Sequence, residues 1–254
     1  FNESKLASVW SGFSFKWYGA LLRDRDMLNA AWLSLKLAFF SATGAVVLGT
    51  LASLVMTRMR YFRSRTLFGA LITAPLVMPE VILGLSLLLL FVSMGNALNG
   101  LGIGQFQPKG VITLWIAHVT FTLAFVTVVI SSRMSELDKS LEEAAMDLGA
   151  NRVKVFFHIT LPIIAPALVS GWLLAFTLSL DDVVISSFVS GPGSTTLPIK
   201  VFSSVRLGLN PKINALATIM VSIVALFAVI GWWWMRREER RRQRDMQLAL
   251  QDNG

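Results

Sequence analysis

Cysteine is absent from the 254 residues, which excludes disulfides, thiolate metal sites and cysteine nucleophiles. Charge is scarce as well: Asp, Glu, Lys and Arg make up 15% of the chain, against about a quarter in an ordinary soluble domain. No G-x-x-x-x-G-K-[ST] phosphate loop, H-E-x-x-H metal motif or G-x-S-x-G nucleophile turn occurs. An enzyme reading is therefore left without a motif to rest on. No secretory signal peptide is visible either, and the first residue is Phe1. What the chain does have is apolar sequence, at 54% of all residues and a mean hydropathy of +0.63. That surplus points to a bilayer as solvent and not to a larger soluble core.

A helix needs roughly 20 mostly apolar residues to cross about 30 Å of hydrocarbon. Five segments meet this, approximately Leu28–Met56, Thr66–Met94, Val111–Ser132, Leu161–Val189 and Ile213–Met235. The net charge of +8 is concentrated beside them: Arg58, Arg60, Arg63 and Arg65 in one cluster, and six arginines between Arg236 and Arg244 in another. Arginine flanking apolar spans marks loops retained in the cytoplasm, with anionic lipid head groups as a secondary contact. Nothing in the chain stacks or reads bases, so no nucleic-acid partner is expected. The stretches 95–109 and 190–212 are rich in Gly, Asn, Pro and Ser and poor in bases, and are expected outside. Trp232, Trp233 and Trp234 precede the 236–254 basic tail as an interfacial belt, which puts the C-terminus in the cytoplasm. Five spans ending inside place Phe1 outside, which implies a sixth spanning helix upstream. Segment 1–27, with Trp10, Phe13, Phe15 and Trp17 among polar residues, is expected to rest on lipid head groups or to meet an extracytoplasmic partner.

Within the spans, Ala45, Gly49 and Ser53 recur every four residues, a stripe on which another helix can approach closely. Pro75 and Pro79 should kink the second span and free backbone carbonyls, so that stretch should face protein or a water-filled cavity. His118 has no ligand-spaced partner and is expected to be a helix-contact histidine.

The loop 133–160 carries the most specific signal. Ser140-Leu141-Glu142-Glu143 reads as a capping box, and the helix it starts sets Leu141, Ala144, Ala145 and Leu148 in one apolar stripe. Gly149 offers a left-handed stop, and Asn151 can cap a second short helix that Pro162 and Pro166 limit. Such a helix suits insertion into a groove on another protein, the competing use being packing on its own bundle.

Glu143-Ala144-Ala145, three residues, Gly149, nine residues, then Ile159-x-Leu161-Pro162 resembles the "EAA" loop of binding-protein-dependent ATP-binding-cassette importers. Trp10-Ser11-Gly12-Phe13, Trp17-Tyr18, Ser179-Leu180-Asp181-Asp182 and the run Ser190–Pro198 resemble the polyamine branch of that family. The resemblance implies an all-α membrane fold, the type I importer permease bundle, as one transmembrane domain over 1–254. It implies a permease subunit for polyamines, putrescine first, with spermidine or a basic amino acid as alternatives. It further implies a second related permease, two ATPase subunits that bind the ATP and magnesium, and a periplasmic polyamine-binding protein. Glu143, Ala144, Ala145, Asp147, Leu148 and Gly149 would couple to the ATPase. An autonomous secondary transporter or channel is the other class, and the inverted repeat or filter loop it needs is not evident.

Intramembrane acids cost about 2.5–3.5 kcal/mol or more at the bilayer centre and usually mark a pathway. The candidates are Glu80, Asp181 and Asp182. Glu80 lies 14 positions past Thr66 and Asp181 lies 15 past Pro166, so both reach roughly 21–23 Å into their helices. A layer of carboxylates could replace part of the hydration that a diamine's ammonium groups lose. Glu80 could instead pair with Lys36 or cap backbone near Pro79. Asp181 and Asp182 lie about 100° apart on a helix, so one should line the path and the other bond to a neighbouring element.

Overall fold

The computed structural model describes residues 11–59, 63–102, 106–206 and 211–222, together with positions 225, 226, 229 and 233. The chain divides into two compact units, one of residues 1–25 with 204–254 and one of Asp26–Ser203. In the smaller unit, α1 (Lys16–Leu22) is a two-turn helix, and Asp24 takes an ion pair from Lys212 at 3.0 Å. Residues 211–222 are helical, which begins the expected fifth span. Residues 1–10, Trp232, Trp234 and the 236–254 tail lie outside the described residues.

The larger unit contains α2 (Arg25–Arg58), α3 (Arg65–Val77), α4 (Glu80–Gly100), α5 (Val111–Glu136), α6 (Lys139–Asp147), α7 (Arg152–Val155), α8 (Leu161–Asp181) and α9 (Val184–Val189). Helix α10 (Leu197–Arg206) follows. Among the described residues, four helical stretches are long and apolar enough to cross a membrane: α2, α4, α5 and the run from Arg152 to Asp181. At 1.5 Å per residue the 34 residues of α2 reach roughly 51 Å, beyond the hydrocarbon on at least one side.

Helix α5 is the centre of the unit. Over half of its apolar window is buried, and it packs on α3, α8 and α9. Its polar residues are made compatible with burial by local bonds: Thr122 Oγ1 donates to the His118 carbonyl and Thr127 Oγ1 to that of Leu123, each at 2.7 Å. The small-residue stripe on α2 packs here as expected. Ala45 is fully buried, a Cβ on Gly49 would stand 3.0 Å from Val126 Cγ1, and Ser53 Oγ donates to the Thr127 carbonyl. Two apolar clusters flank this seam. One joins Leu83, Leu87 and Phe91 of α4 to Ile185 and Val189 of α9; the other joins Ala42 and Ala45 to Val126, Ile130, Ile164 and Ala175.

Three expectations about helix continuity need correction. The second span is not one kinked helix but two, with Met78 and Pro79 extended between them at ψ 134° each. Pro79 disfavours the helical region for Met78 and offers no N–H, whereas Pro75 is accommodated inside α3. The fourth span is likewise two helices, broken where Asp182 turns to ψ 123°. Conversely, Pro162 and Pro166 do not end the helix that Asn151 starts. Residues Phe156–Thr160 widen into a π-helical turn that runs directly into α8, so Pro162 falls at its first positions.

Candidate functional site

Helix α6 lies between α5 and α8, where the sequence places the coupling loop. It does not use Ser140 as its cap. Asp138 caps instead: its Oδ1 accepts from the Ser140 amide at 2.9 Å, and the helix starts at Lys139. The two bonds from Ser140, backbone first and then side chain, hold the Asp138 carboxyl below the ordinary aspartate range. The far end stops as expected. Gly149 takes φ +86°, its amide donates to the Met146 carbonyl, and the Ala150 amide donates to that of Ala145. That pair of bonds is a Schellman stop, which only glycine adopts without strain. Asn151 then caps α7 by accepting from the Lys154 amide at 2.8 Å.

The apolar stripe of α6 faces out. Leu148 is 90% exposed and Leu141 49%, Ala144 is exposed, and no residue of α6 is buried. Glu143, Asp147 and Gly149 are exposed and Ala145 is half-buried. Val153 and Phe157 on the following turns are exposed too. Self-packing of the stripe, the competing reading, is not what this fold does with it.

What holds α6 to the unit is polar and was not foreseen from the sequence. Glu142 receives Arg58, the last residue of α2, with Nη2 to Oε1 at 3.0 Å and Nε to Oε2 at 2.9 Å. Thr160 donates to the same Oε1 at 2.8 Å, and Arg58 Nη1 reaches the Met134 carbonyl near the end of α5. Arg58 and Glu142 are 84 positions apart, so no local pattern pairs them. The visible hint is that Glu142 falls in the first turn of a helix and Arg58 in the last turn of another, where each charge suits the helix dipole.

The three acids stand at other helix ends. Glu80 is exposed, opens α4, and makes no hydrogen bond or ion pair among the described residues. Lys36 does not reach it, lying over the Trp32 ring at 5.0 Å. Asp181 is exposed and closes α8. Asp182 is buried and caps α9, with Oδ1 accepting from the Ile185 amide at 3.1 Å and Oδ2 from the Ser186 amide at 2.7 Å. His118 meets it from α5 and is a helix-contact histidine, bonded to Ser179 and Ser186.

The two breaks lie side by side. A Cβ on Gly84 would meet Phe188 Cδ2 at 2.8 Å and Ile185 Cα at 3.3 Å, so α4 and α9 touch backbone to backbone. Both run the same way. Gly95 near the end of α4 abuts Phe106, and Gly191 just past α9 abuts Lys109, so both helices end on one short segment. Glu80 is four residues before Gly84 and Asp181 four before Ile185. Glu80 and Asp181 therefore each stand, exposed, at one of two adjacent helix breaks.

Comparison with known proteins bears on this arrangement. Residues 45–244 match the family described as the binding-protein-dependent transport system inner membrane component. The putrescine transport system permease protein PotI of Escherichia coli K12 is 59% identical over 98% of this chain and 87% of its own length. The spermidine/putrescine transport system permease protein PotC of Haemophilus influenzae is 42% identical over 87% of this chain and 81% of its own. Among solved structures, the inward-facing MetNI methionine ABC transporter aligns with a TM-score of 0.63 at 17% identity, over 86% of this chain and 96% of that one. A bacterial ABC transporter that imports alginate aligns at the same TM-score and 18% identity, over 90% of this chain and 84% of that one. Fold and sequence agree, and the chain belongs to the family of binding-protein-dependent transport system inner membrane components: it is a multi-pass transport protein of the inner membrane and not an enzyme.

Proposed function

We propose that this permease forms half of the translocation path of a polyamine importer, with putrescine as its principal cargo. The observation that carries the reading is the pair of adjacent helix breaks, each presenting an exposed carboxylate, Glu80 and Asp181. An ammonium group leaving water loses solvation that a fixed carboxylate partly replaces, and a diamine has two such groups. Weak, spaced contacts of this kind let cargo leave as well as enter. The 59% identity to PotI supports putrescine over other cations, and the PotC relatives make spermidine the second reading.

The assembly we infer adds a second, related permease, two ATPase subunits and a periplasmic polyamine-binding protein. Helix α6 docks on an ATPase through Glu143, Ala144, Ala145, Asp147, Leu148 and Gly149, of which Ala144 and Leu148 are exposed and Ala145 is half-buried. ATP and magnesium are bound, and ATP is hydrolysed, on those partner subunits. From the arginines that flank the spans in the sequence we infer that the α6 end and the C-terminus are cytoplasmic. Exposed apolar residues of α2 such as Trp32, Phe39 and Phe40 fit contact with lipid. The test is uptake of labelled putrescine and spermidine by the importer reconstituted in vesicles with its binding protein. Putrescine uptake that depends on ATP and exceeds that of spermidine is expected; uptake of neither overturns the polyamine reading.

A further inference from the structure

Helix α6 is joined to the rest of the chain in an unusual way for an amphipathic helix. It buries no residue of its own. A cavity of about 330 Å³, lined by Arg58, Lys139, Glu142, Glu143, Arg152 and Thr160 among others, lies beneath it. Apolar contact therefore does little to fix its orientation. The Glu142 carboxylate fixes it instead, since among the described residues it is the group of α6 that bonds to α2 and to the turn leading into α8 together.

The geometry points to Arg58, Glu142 and Thr160 as the joint through which motion of α6 is passed to the membrane helices. Glu142 is a positioning residue in this scheme, and the scheme rests on the reading of α6 as the ATPase-docking helix. One carboxylate receives the final residue of α2 and the final residue of the π-helical turn before α8, and the guanidinium extends the link to the end of α5 at Met134. Side chains of the pair are 17% and 14% exposed, so water competes weakly for the contact. A carboxylate held by both Nε and Nη2 of one guanidinium is fixed in angle as well as distance. A displacement of α6 thus pulls on three spanning helices, whereas a helix resting on apolar contacts above a cavity could tilt without moving them. Met134 offers a carbonyl from the last turn of α5, one of the acceptors a helix end leaves free, so Arg58 completes the link without breaking helical bonds.

The three residues avoid the surface that meets the ATPase: Glu143, Leu148 and the exposed face of α6 are not part of the joint. Assembly and transmission are therefore separable. The complete importer is reconstituted in vesicles, and putrescine uptake per ATP hydrolysed is measured per assembled complex, beside the amount of ATPase that copurifies. For Glu142→Gln we expect copurification as in the unsubstituted importer and uptake per ATP lowered at least about fivefold, the low end of a coupling free energy between two sites. Thr160→Val, which keeps the ion pair, should lower the ratio in the same direction and by less. Arg58→Gln combined with Glu142→Gln should be no worse than either alone, because the contact is lost once. An unchanged ratio in the complexes that do assemble overturns the joint, even where their number falls. Loss of the ATPase from Glu142→Gln also overturns it, since Glu142 would then belong to docking. Ala145→Arg is the separate control: if it leaves ATPase binding intact, the docking reading itself fails.

Discussion

His118 Nε2 and Asp182 Oδ2 stand 3.4 Å apart, on side chains 1% and 3% exposed. The contact crosses from α5 to the break between α8 and α9. With a hydrogen on Nε2 the ring serves Asp182 and the Ser186 hydroxyl, 3.0 Å away, while Ser179 donates to Nδ1 at 2.7 Å. Asp182 in turn holds the Ile185 and Ser186 amides. The break is thus anchored on both sides of Asp182, by Ser179 on α8 and Ser186 on α9, with α5 as the post. Its neighbour Asp181 is left exposed. The adjacent acids, alike in sequence, have divided their work.

Asparagine at the two positions should therefore give different phenotypes. Asp182→Asn loses a charged acceptor of two amides, at about 1.5–3 kcal/mol for hydrogen bonds to a charged group. The amount of assembled complex and its melting temperature should fall. Asp181→Asn should leave both unchanged and slow putrescine uptake at limiting substrate. Size-exclusion yield, thermal unfolding and uptake separate the outcomes, and reversed phenotypes would exchange the roles.

The Ala45–Gly49–Ser53 seam makes a prediction about packing. At Gly49 a new Cβ would lie 3.0 Å from Val126 Cγ1 and 3.3 Å from Thr127 Oγ1. Gly49→Val must push α2 off α5 and should cost about 1–3 kcal/mol, the usual range for overpacking. Gly69→Val is the control, because its nearest neighbour is the flexible Met56 Cε at 3.5 Å. Thermal unfolding in detergent should show a lower transition for the first and little change for the second.

These cases mark what is readable in a sequence. The Gly49 seam, the Gly149 stop and the Asn151 cap each depend on residues within about one or two turns of each other, and a linear pattern records them. Pro79 was visible as a fault but not as a full break, because Pro75, four residues earlier, is tolerated inside its helix. The break at Asp182 was not legible at all. Nothing in Leu180-Asp181-Asp182-Val183 forbids a helix, and what ends it is a capping bond helped by a histidine 64 positions away. The same holds for Arg58 and Glu142, whose partnership exists only once α2, α5 and α8 are bundled. Local chemistry writes helix ends into the sequence; tertiary contacts that break or join helices leave no period behind.

Asp138 carries a pH dependence of known sign. Its carboxyl is held below the ordinary aspartate range by the Ser140 bonds. Its contribution to α6 is therefore complete above the ordinary aspartate pKa of about 3.9 and fades as pH falls through the lower folded value. The protection of the Ser140 amide, measured against its intrinsic exchange rate, should fall in acid. Asp138→Ala should show fast exchange already at neutral pH, and Asp138→Asn, itself a good cap, should not. Equal exchange for Ala and Asp would mean that Asp138 does not set the helix start.

Pro79 provides the sharpest test of the two-break path. An alanine there restores an amide that can donate to the carbonyl of Pro75, four residues earlier, and relieves Met78 of its extended conformation. Alanine is favoured over proline inside a helix by about 3 kcal/mol. Pro79→Ala should then fuse α3 and α4 into one helix, turning Glu80 away from its place beside the break that presents Asp181. The Gly84 contact with Ile185 and Phe188 opposes that rotation, since Gly84 is one turn further along the same helix. The fused helix must either strain that contact or carry Glu80 off its position. In both cases uptake should fall, and Glu80→Gln added to Pro79→Ala should bring little further loss. Amide exchange at residues 79–81 reports whether the helices have joined. If they join while uptake, and its sensitivity to Glu80→Gln, stay as before, then the break does not place the carboxylate, and Asp181 alone remains on the path.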